Sequence, residues 1–347
     1  MKYTKLPNTN IKVSKICLGT MTFGEQNTET EAHEQLNYAA EQGVNFIDTA
    51  EMYSVPGRKE TQGLTEKFIG TWLKNQKRED LIIASKITGP SPGLSYIRDN
   101  MGFSNAAIDD AIEKSFKRLQ TDYIDLYQLH WPERNANFFG TRNYKHNFDQ
   151  KWNDNFKEVI EKLDTLVKEG KIRHYGVSNE TAWGVMRHVN ESDNNKLTRC
   201  KTIQNPYSLL NRTFEMSLAE ISMRENIGLL AYSPLSFGAL SGKYLKNTPK
   251  NSRLKLYPQL FITRKYLSKE AIFATQKYFE LAQKNNLSLT QMSLAFINQQ
   301  PFVTSNIIGA TTMEQLKENI SSIDIDLSDK VLEEIDAINE LQPNPAP

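Results

Sequence analysis

Short apolar runs alternate along this chain with longer stretches in which apolar residues recur every three or four positions. The runs are ICLG at 16–19, NFID at 45–48, LIIAS at 81–85, IDLYQL at 124–129, HYGV at 174–177, TIQ at 202–204, GLLAY at 228–232 and IIG at 307–309. Each reads as a short strand. The intervening stretches read as amphipathic helices. Ala32, Leu36, Ala39 and Ala40 form one stripe, with Thr28 or Thr30 to cap its start and Gly43 to end it in a left-handed turn. Ile108, Ile112, Phe116 and Leu119 form another. Phe156, Ile160, Leu163 and Val167 form a third that stops at Gly170, with Lys157, Glu161, Lys162 and Asp164 turned to water. Ahead of the series, residues 3–6 and 11–13 flank a turn at 7–10 and predict a hairpin.

Eight strands alternating with helices predict a parallel sheet, and closing it into a (β/α)8 TIM barrel buries both faces and removes the edges. The hairpin is then expected to close the barrel bottom. An open doubly wound sheet is the competing architecture, but its dinucleotide-binding form carries GxGxxG after the first strand, and none of the 17 glycines lies two positions from another. A length of 347 residues would suit two domains, yet barrels of this kind reach it as one unit, so residues 1–347 are expected to form a single domain.

Charge narrows the partners. Lys and Arg total 42 against 41 for Asp and Glu, which leaves no strong field to draw in nucleic acid or an anionic membrane. Cys17 and Cys200 are too few for a disulfide scaffold and lack the paired spacing of a metal site, which points to a reducing, cytoplasmic setting. The first twenty residues hold no secretion signal, and no apolar run approaches the ~20 residues of a membrane span.

In a (β/α)8 barrel the chemistry gathers at the carboxyl ends of the strands. Asp48, Lys86, His130, Ser178 with Asn179, Gln204 and Tyr232 stand at or just beyond six of the predicted ends. Singly, Asp48 could cap a turn, Lys86 could be solvated and His130 could be an ordinary core histidine. Jointly on one rim they are harder to explain as structure, since an unpaired buried charge costs several kcal/mol. Tyr53 follows Asp48 on the same loop. A phenol, with a pKa near ~10, donates a proton poorly at neutral pH unless a cation stabilises its phenolate. Lys86 is the candidate cation, Asp48 would keep it charged, and a neutral His130 would orient a substrate carbonyl.

At this point the chain resembles a known family. FIDTAEMY, IASK, QLHWP, GVSNE, QNPYSLLN, AYSPLSFGALSGKY and IIGATTMEQLKENI are similar, in that order, to motifs of the aldo-keto reductase superfamily over residues 1 to about 340. LGTMTFGEQN looks like the Tas-type NADP(H)-dependent reductases of bacteria, which are related to potassium-channel β subunits. The resemblance implies NADPH-dependent reduction of an aldehyde or ketone, with Tyr53 as proton donor, Asp48 and Lys86 tuning it and His130 positioning the carbonyl. It implies that Ser178, Asn179 and Gln204 hold the nicotinamide carboxamide and that Tyr232 stacks on the ring, unless Tyr232 is simply a buried aromatic. Ser233, Pro234, Leu235, Ser236 and Lys243 are implied at the pyrophosphate, and Gly309, Ala310, Thr311, Gln315, Glu318 and Asn319 at the adenosine end. GALSGKY is not a P-loop, because Phe237 and Tyr244 occupy positions that motif reserves for Gly and for Ser or Thr. Arg264 is the candidate for a phosphate contact, with Arg253 and Lys265 as alternatives.

Two connections are long enough to be binding surfaces: roughly 20 residues after His130 and more than about 35 after Tyr232. The first carries Trp131, Phe138, Phe139 and Tyr144, expected to shape a carbonyl pocket; the second is expected to fold over the cofactor as a belt. The stretch SVPGRKETQGLTEKFIG after Tyr53 is longer than the Gly-rich segment of many relatives, which leaves the form of the pocket mouth open but not the four-residue cluster. Two rival functions remain at this level: an NADPH-binding regulatory sensor with little turnover, and a lyase or isomerase using Lys86 as a Schiff-base nucleophile.

Overall fold

The computed structural model describes residues 1–347 and opens with an antiparallel hairpin, β1 (Tyr3–Lys5) and β2 (Lys12–Ser14). Then follow β3 (Ile16–Gly19), α1 (Glu29–Glu41), β4 (Phe46–Asp48), α2 (Leu64–Leu73), β5 (Ile82–Ile87), α3 (Asn105–Leu119) and β6 (Ile124–Leu129). The chain continues through α4 (Phe156–Lys168), β7 (Ile172–Ser178), α5 (Ala182–Asn195), β8 (Thr202–Pro206), α6 (Leu218–Glu225) and β9 (Gly228–Tyr232). Three single-turn helices follow, α7 (Lys243–Lys246), α8 (Arg253–Leu256) and α9 (Gln259–Ile262), and then α10 (Lys269–Lys284) and α11 (Leu289–Asn298). The last elements are β10 (Val303–Ile308), α12 (Met313–Ser321) and α13 (Asp329–Leu341). Strands β3 to β10 pair in parallel, in sequence order, and β10 returns to β3, so the sheet is a closed eight-stranded barrel. The expected (β/α)8 architecture is therefore observed.

Helix boundaries follow local chemistry. Thr28 and Glu31 form a reciprocal capping box at the start of α1, and Gly43 takes the left-handed φ of 82° just past its end. Ser104, Thr181 and Ser268 cap α3, α5 and α10 with their hydroxyls. Helices α2 and α3 meet at Gly70, where a Cβ would lie 2.1 Å from the Arg118 carbonyl oxygen, so only glycine allows the approach.

The barrel interior has two levels. The lower one is apolar, with Cys17, Phe46, Ile82, Ala84, Leu126, Leu230 and Ile307 packed against Leu6 and Val13 of the hairpin, both fully buried. That contact is how the hairpin closes the bottom. Its strands are shorter than expected at one end: Leu6 leaves the ladder and plugs the barrel, while its N–H still reaches the Ile11 carbonyl at 2.9 Å. The upper level is polar. In register, Asp48 lies beside Ala84 and Lys86 beside Gln128, which lifts four polar side chains, with Gln204, to the carboxyl ends of the strands.

The polar flank of α4 is corrected. Asp164 is buried, not turned to water: its Oδ1 accepts from the Thr198 N–H (3.0 Å) and hydroxyl (2.6 Å), and Lys168 pairs with it at 2.6 Å. Lys162 is half-buried in an ion pair with Asp109 of α3 at 2.6 Å. Val167 is only half-buried. The reason is that α3 and α5 flank α4 on both sides, so its contact face is wider than the apolar stripe.

Candidate active site

Each polar group at the rim is placed by the strand below it. Asp48 ends β4, Lys86 lies one position before the end of β5, and His130 follows β6, its N–H donating to the Ile87 carbonyl at 3.0 Å. Tyr53 lies on the loop after β4. That loop is held by Glu51 N–H to Lys86 O (3.2 Å) and Gly63 N–H to Tyr53 O (2.7 Å). The Glu51 carboxylate is buried against the Arg98 guanidinium and accepts from the Thr88 N–H at 2.5 Å.

These placements bring Asp48, Tyr53, Lys86 and His130 together. The Lys86 ammonium donates to Asp48 Oδ2 at 2.7 Å, to the Thr49 carbonyl at 2.7 Å and to the Tyr53 hydroxyl at 3.4 Å. The His130 ring meets the Tyr53 ring edge-on with centroids 5.8 Å apart. Lys86 is wholly buried behind the phenol, whereas the other three line the cleft.

Burial is the largest force on the titrations of Lys86, His130 and Tyr53. It opposes the charge on Lys86, but the Asp48 carboxylate and Tyr53 more than offset it, so the ammonium pKa stands above its usual value. Burial, then the Lys86 charge, push His130 well below its usual value and leave the imidazole neutral at pH 7. For Tyr53 the sequence expectation needs correction. Burial raises the phenol, Lys86 draws it back down, and the balance stays above the ordinary tyrosine value. The cation moderates the phenol's weakness as an acid without overcoming it.

The amides expected at the carboxamide form a network of their own. The Tyr232 hydroxyl donates to Asn179 Oδ1 at 2.6 Å, and Asn179 Nδ2 donates to the His130 carbonyl at 2.8 Å. Gln204 Nε2 donates to Asp48 Oδ1 at 2.8 Å, which couples this network to the four-residue cluster. Asn179, Gln204 and Tyr232 line the cleft. Ser178 does not: its hydroxyl is spent on the Gln204 carbonyl at 2.9 Å, and its wall belongs to a small separate cavity beneath Trp131.

The cleft has a volume of about 1490 Å³ and runs from Tyr53 and His130 past the loop after β9 to Gly309, Ala310, Thr311, Gln315, Glu318 and Asn319. Ser233, Pro234 and Leu235 line it, but Ser236 is fully buried with its hydroxyl 3.0 Å from that of Ser208. Lys243 and Arg253 line it without an ion-pair partner. Burial, then the charge of Arg253 beside it, lower the Lys243 pKa. Two adjacent, partly dehydrated cations with no acid between them suit a phosphate. Arg264 shares the Phe237 ring with Arg253, at 5.7 Å and 4.9 Å from its centre, and its guanidinium carbon lies 5.0 Å from the Phe139 ring centre and 6.0 Å from that of Tyr232. Lys265 is exposed and lies outside the cleft lining. At the end where adenosine is expected, Gln315 accepts from Thr311 N–H at 3.0 Å, Asn319 donates to the Gly309 carbonyl at 3.1 Å, and Glu318 accepts from Ser288 at 2.6 Å.

Trp131, Phe138 and Phe139 line the mouth as expected, but Tyr144 is 57% exposed and bonded to His146, away from the cleft. The residues after Tyr53 meet the belt through Glu25, whose carboxylate lies 3.5 Å from Arg58 and accepts from Thr61 (2.9 Å) and Tyr257 (3.2 Å). Sequence reasoning missed Thr20 and Glu25. Thr20 directly follows the ICLG run, so the strand-end rule would have found it; Glu25 carries no such signal. Ser288, Leu289 and Thr290 were also missed, because they reach the cleft from the start of α11, not from a strand.

Known proteins resemble this chain along its whole length. The profile described as the Aldo/keto reductase family matches residues 15–340. Protein tas of Escherichia coli is 49% identical, covering 100% of both chains. The uncharacterized oxidoreductase YrpG of Bacillus subtilis is 32% identical, over 99% of this chain and 97% of its own. A probable voltage-gated potassium channel subunit beta of Arabidopsis thaliana is 27% identical, over 99% and 98%. A barrel with this rim and a sequence matched over nearly its full length lead to one assignment: the chain belongs to the aldo/keto reductase family of oxidoreductases, which reduce small carbonyl compounds with a nicotinamide cofactor.

Proposed function

We propose that this protein is an NADPH-dependent carbonyl reductase of the alcohol dehydrogenase type, turning aldehydes or ketones into alcohols with Tyr53 as the proton donor. It acts as a single barrel domain in the cytoplasm. One observation carries the reading: a phenol, an ammonium and a neutral imidazole meet at one end of a cleft whose wall also offers two unpaired cations, Lys243 and Arg253.

The bound cofactor would supply the hydride to the carbonyl carbon. Tyr53 gives its proton to the carbonyl oxygen, and Lys86, 3.4 Å from the phenol oxygen, stabilises the phenolate left behind. Asp48 holds the ammonium in place and keeps it charged. His130, neutral, donates a hydrogen bond that orients the carbonyl. Asn179 and Gln204 would grip the carboxamide against Tyr232, and Lys243 with Arg253 would hold phosphate. Ser178 and Ser236 support that binding surface from behind.

The test is NADPH oxidation against a panel of aldehydes, ketones and quinones, with Tyr53→Phe measured beside the wild type. Carbonyl reduction is expected to fall by at least about 100-fold while NADPH affinity holds. Equal rates would remove the proton-donor role. A wild type that binds NADPH and reduces nothing on the panel would favour the sensor reading, which the full-length similarity to the plant channel subunit keeps in view.

A further inference from the structure

Every acid lining the cleft is already engaged: Asp48 by Lys86 at 2.7 Å, Glu25 with Arg58 at 3.5 Å and Glu318 by the Ser288 hydroxyl at 2.6 Å. Arg264 also lines the cleft, and it makes no ion pair. Aromatic rings surround it instead. Its guanidinium carbon lies 5.0 Å from the centre of Phe139, 5.7 Å from Phe237 and 6.0 Å from Tyr232. Burial opposes the charge, and the phenols of Tyr232 and Tyr266 more than offset that, so the group stays cationic.

The rings lead from this cation to the chemistry. Phe139 packs edge-on against Trp131 at 5.5 Å, Trp131 lies 4.9 Å from His130, and His130 lies 5.8 Å from Tyr53. The loop bearing Phe139 closes directly on the belt. A Cβ at Gly140 would sit 2.8 Å from the Thr263 carbonyl oxygen and 3.4 Å from the Arg264 Cα, so the contact needs the glycine. Arg264 thus belongs to the wall shared by the substrate mouth and the belt; Arg253 shares the Phe237 ring with it, at 4.9 Å from the ring centre, but is the cation that stands beside Lys243.

We infer that Arg264 recognises a carboxylate carried by the carbonyl substrate, which makes anionic aldehydes or ketones the preferred substrate class. A guanidinium offers a planar fork that fits both carboxylate oxygens, and the surrounding rings limit how that fork can turn. A neutral carbonyl compound of the same shape gains nothing from it. The inference rests on the carbonyl-reductase reading above, and it reassigns Arg264 away from the cofactor phosphate.

The test compares para-carboxybenzaldehyde with para-nitrobenzaldehyde on the holoenzyme, in the wild type, Arg264→Met and Arg264→Lys. NADPH affinity is read by fluorescence titration, and benzoate binding to the NADP+ complex by calorimetry. In the wild type the carboxylated aldehyde is expected to have the higher kcat/KM. In Arg264→Met the ratio of the two kcat/KM values falls by about tenfold or more, chiefly through KM, and benzoate binding weakens by a similar factor. Arg264→Lys recovers part of both. An unchanged ratio with unchanged benzoate affinity overturns the inference, as does an unchanged ratio with NADPH affinity weakened about tenfold, which returns Arg264 to the cofactor. If the wild type reduces neither aldehyde, the carbonyl-reductase reading fails on its own, and the benzoate titration still decides what Arg264 binds.

Discussion

Replacing Lys86 with methionine removes the cation beneath the phenol while keeping much of the side chain's bulk. The ammonium, itself wholly buried, lies 3.4 Å from the Tyr53 hydroxyl. At an effective dielectric constant of about 20, a unit charge at that distance stabilises a phenolate by about 5 kcal/mol, or roughly 3.5 pH units. Burial already holds the phenol above its usual pKa, so the variant has a far weaker proton donor. Reduction is expected to slow on the order of 100-fold to 1000-fold in kcat/KM at neutral pH. The sign of the pH effect follows from the same shift. The donor must be protonated, and its pKa lies above the tyrosine range, so wild-type reduction should stay level through neutral pH and fall only in alkali. In Lys86→Met that alkaline limb should move higher still. The assay is the absorbance of NADPH followed across pH, with NADPH affinity and melting temperature as controls. Stability matters here, because Asp48 loses its only cationic partner, at a cost of about 3–5 kcal/mol. The double variant Asp48→Asn with Lys86→Met removes that stranded charge and should melt higher while remaining slow. Loss of less than about fivefold in kcat/KM in a folded, NADPH-binding Lys86→Met would refute the electrostatic account.

Two further outcomes are expected. Arg253→Met should weaken NADPH binding by roughly 10-fold to 30-fold through loss of a charge-assisted contact beside Lys243, read by fluorescence titration; affinity within twofold of wild type would take Arg253 out of the phosphate site. His188 is buried among Phe156 and Tyr175, and burial followed by Arg134 and Arg187 lowers its pKa to about 3. Because the folded pKa is depressed, its contribution to stability is full above about pH 6.5 and lost as pH falls toward 3, the loss reaching about 2 kcal/mol near pH 5. The melting-temperature drop between neutral and mildly acidic buffer should shrink in His188→Leu, and an unchanged drop would show that other groups govern acid stability.

The strands were legible where burial on both faces made the apolar run continuous. IDLYQL and GLLAY coincide with β6 and β9 residue for residue. β10 was not legible at its start, because Thr304, Ser305 and Asn306 are polar yet buried, with Ser305 donating to the Ser14 carbonyl and Asn306 to Asn298. Hydrogen bonds there replace the hydropathy that a sequence scan detects. β7 begins earlier than its apolar run because Arg173, exposed on the outer face and paired with Asp125, breaks the pattern without breaking the strand. Asp48, Lys86 and His130 could be found because strand ends fix position, and Tyr53 because it follows Asp48 on the loop leaving the same strand. The direction of Tyr53's titration could not, since it depends on how much water is excluded, and spacing carries no such information. The choice between Arg253 and Arg264 is not legible for a related reason: they sit on a belt of single-turn helices, where neither period 2 nor period 3.6 says which way a side chain faces.

The hairpin gives the molecule a foundation physically remote from its chemistry. Leu6 and Val13 fill the floor, and Pro7 lies so close to Gly228 that a Cβ there would approach it to 2.9 Å. Surface loops around the opposite opening can therefore be lengthened, shortened or re-charged without disturbing what anchors the strands, so selectivity can drift among descendants of this chain while foldability is inherited intact.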